Sequence, residues 1–404
     1  MGGDAASPVP ALAARRAVLE RAGARGDEVE ELLAYNRSAV EERGVPAVPQ
    51  FPLADEPHLA AWREYAEDAE RRGAWAALSE RLPQLRFPVA AGMSERAHYR
   101  DATRRGIVPP PAGPESGLRL VEPAGVELLL HPALAGTVPV IVAAARADFV
   151  ALVQAFCHRN EPAAVPDSMG ACIVAGYNNW DRIRAHRRSW EAGTPGADAT
   201  AWSAEFRRLQ AEKPLYQDRF VILSRGPYSN VDAAAAGFGE EEWLRHSLRI
   251  RREHECTHYF TLRVFGGLQN NLLEELIADF VGLVAAFGGF DADLALRFLG
   301  LEAYPGVRPS GRLANYRGSP PLSDGAFTVL ARLAHDAVRN LARLADSRRR
   351  DVRAPEPLAR LVCALTALSL EELADGPGGR VEALLGAPVG SAEAPRARGQ
   401  EPAP

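Results

Sequence analysis

The sequence predicts an α+β protein, with a mixed α/β N-terminal half that holds a small sheet and a mainly helical C-terminal half. Three observations carry this. Between 117 and 225, apolar runs of strand length alternate with helical periodicity. From about residue 239 onward only helical spacing recurs. Ahead of both, residues 9–45 and 55–82 set apolar positions at helical spacing among charges, as in AWREYAEDAERRGAWAALSERL.

Taken in order, the N-terminal helical region is expected to span 1–105. GIVPPPAGPES, at 106–116, reads as a proline-rich linker. A mixed α/β subdomain follows over 117–235. Within it LRLVEP and GVELLLH look like paired strands and TVPVIVAAA like a buried one. ADFVALVQAFCHR predicts a helix and ACIVAGY a strand, which together make a β-α-β run. NNWDRIRAHRRSW and TAWSAEFRRLQAE are helical, and RFVILSR is a strand. A helical subdomain over 236–388 carries the rest, and 389–404 has the composition of a disordered tail.

Composition excludes several function classes. The chain has 404 residues, 47% hydrophobic and 25% charged, which is enough apolar material for a sizeable core. A net charge of −5 gives no reason to expect nucleic acid or an anionic membrane as partner. Lys213 is the sole lysine, and no glycine loop precedes it, so neither a phosphate loop nor an activated Schiff-base lysine is expected. The cysteines at 157, 172, 256 and 363 include no CxxC pair. With no apolar leader or bilayer-length segment, the expected location is cytoplasmic.

The chemistry concentrates in REHECTHYF, at 252–260. The surrounding GEEEWLRHSLRIRREHECTHYFTLRVFGG starts with glutamates and ends on a double glycine, which suits the two ends of one helix. His254 and His258 are four residues apart, so on a helix they lie about 40° apart around the axis and can reach one ion. Trp243, Ser247, Ile250, Thr261 and Phe265 share their stripe, whereas Arg245, Arg249, Arg252, Arg263 and Cys256 fall on the far side. Cys256 is expected to be an ordinary packed or half-exposed thiol. A glutamate directly after the first histidine, Glu255, can take a proton from an activated water.

Two imidazoles bind weakly, so a third ligand is needed. Downstream lies NNLLEELIADFVGLVAAFGG. Asn271 is expected to cap this helix with Glu274 in a local capping role, pointing away from the apolar face. Glu275 and Asp279, at the edge of that face, remain to serve as ligand and as hydrogen-bond acceptor for a ligand histidine.

HECTH followed by EELIAD resembles the gluzincin branch of the zincin metallopeptidases, over about residues 240–285. The resemblance implies a zincin-like fold, Zn2+ held by His254, His258 and Glu275, Glu255 as general base, and Asp279 orienting a histidine. It implies a peptide or small amide substrate, and a sheet whose edge strand binds it, for which RFVILSR is the candidate. Cys256 and Arg251 depart from the family's usual residues at their positions, which sets this chain apart from the well-known peptidases and leaves the substrate class open. A non-catalytic, metal-stabilised protein and a metal-dependent amidase or esterase are the competing readings.

A transition-state donor is expected from His335, Tyr304, Tyr316 or Arg312. CHRNEP (157–162) and GYNNWDR (176–182) read as turn and cap chemistry, and SRRRDVR (347–353) as a solvated helix end.

Overall fold

The computed structural model describes residues 8–37, 50–107, 117–266 and 271–386. The chain divides into two compact units, one formed by 1–53 together with 227–404 and the other by 54–226. The 389–404 tail and most of the 106–116 linker lie outside the described residues.

In the first unit the described chain opens with α1 (Pro8–Arg21) and α2 (Asp27–Tyr35). They are tied to the C-terminal part of the same unit by a buried ion pair. Arg15 donates through Nε to Glu371 Oε2 at 3.1 Å and through a second nitrogen to Oε1 at 3.3 Å. Asn36 donates to the same carboxylate at 2.9 Å, so a fully buried charge is compensated by fixed donors.

The 54–226 unit is contiguous. It contains α3 (Leu59–Arg72), α4 (Ala74–Arg81), α5 (Ala97–Arg105), β1 (Glu127–Ala133), β2 (Gly136–Ala143) and α6 (Arg146–Cys157). Then come β3 (Ala171–Asn178), α7 (Trp180–Gly193), α8 (Ala199–Ala211) and β4 (Gln217–Ser224). The strand order is β1-β2-β4-β3, with β2 and β4 parallel and the outer pairs antiparallel. Leu59, Trp62 and Tyr65 of α3 pack with Ile141, Phe149, Phe220 and Ile222 in one core. Burying one such aromatic contributes about 1.5–3 kcal/mol. Trp62 also donates its indole N–H to buried Asp218 at 2.8 Å. For this reason 54–105 belongs with the sheet, and the expected boundary near 105–117 falls inside a unit.

Two strand expectations are corrected. LRLVEP forms no strand, because the Asp148 carboxylate takes the Val121 and Glu122 amides at 2.6 and 2.9 Å. GVELLLH instead pairs with TVPVIV in a hairpin. RFVILSR, which forms β4 as far as Ser224, is not an edge strand: β2 and β3 flank it, and Phe220, Val221, Ile222 and Leu223 are all buried. A continuous apolar run of that kind is the mark of a central strand. The thiols of Cys157 and Cys172, 15 residues apart in sequence, lie 3.2 Å from each other.

Back in the first unit, the chain runs through α9 (Ala233–Ala236) into α10 (Glu240–Phe265) and α11 (Asn271–Phe287). The glutamates at 240–242 face the positive end of α10, and Gly266, at φ 75°, terminates it in the left-handed region. The expected stripe is buried, from Trp243 through Ser247, Ile250 and His254 to Thr261 and Phe265. α11 is covered on most sides, with Leu272, Leu273, Leu276, Ile277, Phe280 and Leu283 buried. α12 (Ala292–Leu299), α13 (Asp324–Ser347), α14 (Pro355–Thr366), α15 (Leu370–Asp375) and α16 (Gly378–Leu385) complete the described chain.

Gly282 sets the approach of α10 and α11. A Cβ placed there would lie 2.8 Å from the Ile250 carbonyl oxygen and 3.0 Å from its Cγ2. The first of these is backbone and cannot rotate away. Gly282→Ala is therefore expected to cost about 1–3 kcal/mol, read as a lower melting temperature in calorimetry. An unchanged melting temperature would show that the two helices are not held at this distance by the glycine.

Candidate metal centre

The i,i+4 spacing on α10 and the close packing of α11 bring three donor groups together. His254 and His258 turn their Nε2 atoms toward each other at 3.1 Å. Glu275 sets Oε2 3.4 Å from His254 Nε2 and Oε1 3.5 Å from His258 Nε2. In a tetrahedral site with metal–nitrogen bonds of about 2.0–2.1 Å, neighbouring donors are about 3.3 Å apart. The two imidazole nitrogens lie near that edge length, Glu275 turns one carboxylate oxygen toward each ring, and the donor set of two imidazoles and a carboxylate suits zinc. Among the described residues this is the one group of three or more such side chains arranged to hold an ion.

Each imidazole is oriented from behind. His254 Nδ1 lies 2.9 Å from Asp279 Oδ1, so its N–H donates to the carboxylate and Nε2 keeps a lone pair for the cluster. This is the role expected of Asp279. Tyr228 donates its hydroxyl to the same Asp279 oxygen at 2.6 Å and contacts His254 Nδ1 at 2.8 Å. Arg312 donates to Asp279 Oδ2 and, at 3.0 Å, to the Tyr228 oxygen. Gly311 allows this delivery: a Cβ there would meet the Leu299 carbonyl oxygen at 2.4 Å.

His258 is backed by Glu274, and here the expectation is corrected. Glu274 is buried rather than turned away in a capping role. Its Oε2 lies 3.4 Å from His258 Nδ1 and accepts the Thr261 hydroxyl at 2.9 Å. The expected cap residue, Asn271, is the first residue of α11, and its side chain lies outside the described residues. A single-stripe wheel misplaces Glu274 because α11 is buried nearly all round. Tyr228 is the other residue missed. It lies in a turn 26 residues before His254, and no spacing rule links the two.

The electrostatics are those of a cation site. Burial alone would push both imidazoles down. Hydrogen bonds to Asp279 and Glu275 outweigh it and raise His254. Glu274 and Glu275 push His258 up to about 10. Burial would likewise raise the two carboxyls, yet the histidines hold Glu275 well below the usual range, and Arg312 with His254 holds Asp279 low. Among the described residues, the carboxylates around the two rings outnumber the guanidiniums that reach them, so the cluster favours positive charge at the Nε2 atoms. Two protons or one divalent cation carry that charge equally.

Of the other expected participants, Glu255 follows His254 on α10 and is half-buried. Arg312 reaches the cluster through Asp279, and the Tyr316 hydroxyl is raised first by burial and then by the Glu275 charge. His335 and Tyr304 stack on each other at 4.3 Å, and His335 bonds Asp336. Cys256 is buried, and burial raises its thiol well above the ordinary value. CHRNEP and GYNNWDR do turn and cap work. Asn160 donates to the Gln84 and Phe87 carbonyls, Glu161 accepts from Gly92 and Ser94, and Asn179 caps α7. In SRRRDVR, Arg348 pairs with Asp351 at 2.9 Å and Arg349 with Asp346 at 3.0 Å.

The titration directions give a stability profile for protein held in chelator. The protonated histidines stabilise the fold below their ordinary 6.5, and that contribution fades as pH rises through about 10 for His258. Glu275 and Asp279 contribute above their ordinary 4.5 and 3.8, and the contribution fades as pH falls. The melting temperature is expected to peak between about pH 5 and 6.5 and to fall on the alkaline side. Added zinc should remove that alkaline decline. Identical profiles with zinc and with chelator would count against a cation site.

No helix among the described residues is long and apolar enough to cross a membrane. No curated protein and no solved structure gives a significant match to this chain. One family model matches over residues 17–376, a span that includes every residue of the cluster. That match covers most of the sequence, so the chain belongs to the family described as Family of unknown function (DUF7005).

Proposed function

We propose that this chain is a zinc-dependent hydrolase that cleaves amide bonds in peptides, a metallopeptidase of gluzincin type. The observation that carries the reading is the convergence of His254 Nε2, His258 Nε2 and the Glu275 carboxylate at 3.1 to 3.5 Å, with Glu255 next to the first histidine. HECTH followed by EELIAD supports it. So does the partial exposure of Glu275, whose side chain is 21% accessible: a catalytic centre needs a face open to substrate, whereas a purely structural site is closed by protein ligands.

Bound by these three residues, zinc supplies Lewis-acid polarisation of a carbonyl oxygen and acidifies water. The chain's own groups divide the remaining work. Glu255 takes the proton of the attacking water and returns it to the leaving amine. Asp279 fixes the tautomer of His254, and Glu274 does the same for His258. Arg312 and Tyr228 hold Asp279 in place and ionised. Tyr316, its hydroxyl raised by burial and by Glu275 so that it stays protonated, donates a hydrogen bond to the oxyanion that develops on the substrate.

Three variants test this. His258→Ala is expected to lose stoichiometric zinc by metal analysis. Glu255→Gln should keep zinc and melting temperature while peptide hydrolysis falls about 10²–10⁴-fold. Tyr316→Phe should lower kcat by about 10²-fold with KM and zinc content nearly unchanged. A Glu255→Gln protein as active as wild type would sink the assignment of the base. Zinc that stabilises a protein with no hydrolytic activity would favour a metal-stabilised binding role.

A further inference from the structure

The 54–226 unit contains a second candidate site, unrelated to the histidine cluster. We infer that the cavity lined by α5, α7 and α8 binds a small anion that carries a planar aromatic ring. The cavity measures about 550 Å³, within the range that holds a ligand of drug size. Its lining combines aromatic faces with guanidinium groups and, among the described residues, includes no aspartate or glutamate.

The aromatic part is a short ladder. Trp180 and Phe206 stack with centroids 6.1 Å apart and 28° between planes, and Trp202 continues at 5.9 Å from Phe206. All three are only partly buried. Trp180 is fixed by its N–H bond to the Thr103 carbonyl at 2.8 Å. The chain at Gly106 crosses so close that a Cβ there would lie 2.4 Å from the indole. Trp180 is therefore held in place before any ligand arrives.

The charged part surrounds it. Arg104, Arg105, Arg184 and Arg187 line the cavity. Arg187 lies over the Trp202 ring at 5.1 Å, and its carboxylate partner, Glu191, is outside the lining. Among the described residues Arg104 has no ion pair. Stacking on an indole favours a planar ring, and guanidinium forks favour a carboxylate or phosphate. One ligand that carries both groups uses the whole cavity.

Calorimetric titration of the full chain with 5′-AMP and with 2-naphthoate separates the phosphate and carboxylate versions of that chemistry. At least one is expected to bind with a Kd below about 1 mM. Adenosine, which lacks the charge, and inorganic phosphate, which lacks the ring, should each bind at least about tenfold weaker, a difference of about 1.4 kcal/mol. The double variant Arg104→Ala/Arg187→Ala should lose about tenfold in affinity with its melting temperature unchanged, and Trp202→Ala should lose binding of the ring. The inference is overturned if neither probe binds below about 1 mM, if adenosine or phosphate alone binds as well, or if the arginine variant binds as wild type does.

Discussion

The closeness of α10 and α11 at Gly282 is the constraint on which the candidate centre depends. Two imidazoles on one helix can only make half a metal site; the carboxylate has to come from a second backbone. Glutamate is long, yet its reach is fixed once its helix is packed. With no side chain at 282, α11 lies against the Ile250 carbonyl, one turn before His254. The Glu275 carboxylate then arrives within 3.5 Å of both rings without any element being distorted. Every further feature of the site assumes that spacing.

Around the donors the fold has assembled a set of acids that would repel one another if left alone. Asp279 is almost wholly buried, and its negative charge is tolerated because Arg312, Tyr228 and His254 all converge on it. Arg312 comes from a segment near the end of α12, so the cluster draws on parts of the chain far apart in sequence. A network in which every member is held by two or three others resists small displacements. That rigidity is what positions an imidazole lone pair to within a fraction of an ångström.

Much of the centre was legible in the sequence because its chemistry is tied to helical periodicity. His254, His258, Glu275 and Asp279 were readable from four-residue spacings and from the cost of carboxylates beside an apolar face. The ends of α10 were readable from its glutamates and its closing glycine. Glu274 was misread because a wheel assumes one buried stripe, whereas α11 is enclosed. Tyr228 left no trace, since a turn residue joins the site only through tertiary packing. In the sheet, each of RFVILSR, ACIVAGY and TVPVIV was recognisable as a strand, yet their order was not. Pairing is decided between distant segments, and only the unbroken apolar run of β4 hinted at its central place. The attachment of 54–105 to the sheet depended likewise on where Trp62 and Tyr65 found partners.

The buried pair between Arg15 and Glu371 has a consequence for how the molecule is made. As the chain leaves the ribosome, Arg15 emerges 356 residues before its carboxylate. Until then a guanidinium destined for the interior stays in water, and α1 and α2 have no core to join. The stretch from 54 to 226 is contiguous in the chain and can complete its core during translation. The order of assembly is thus written into the topology. The contiguous unit can form first, and the unit that carries the histidines closes only once the chain has been made as far as Glu371 and its two segments have been drawn together.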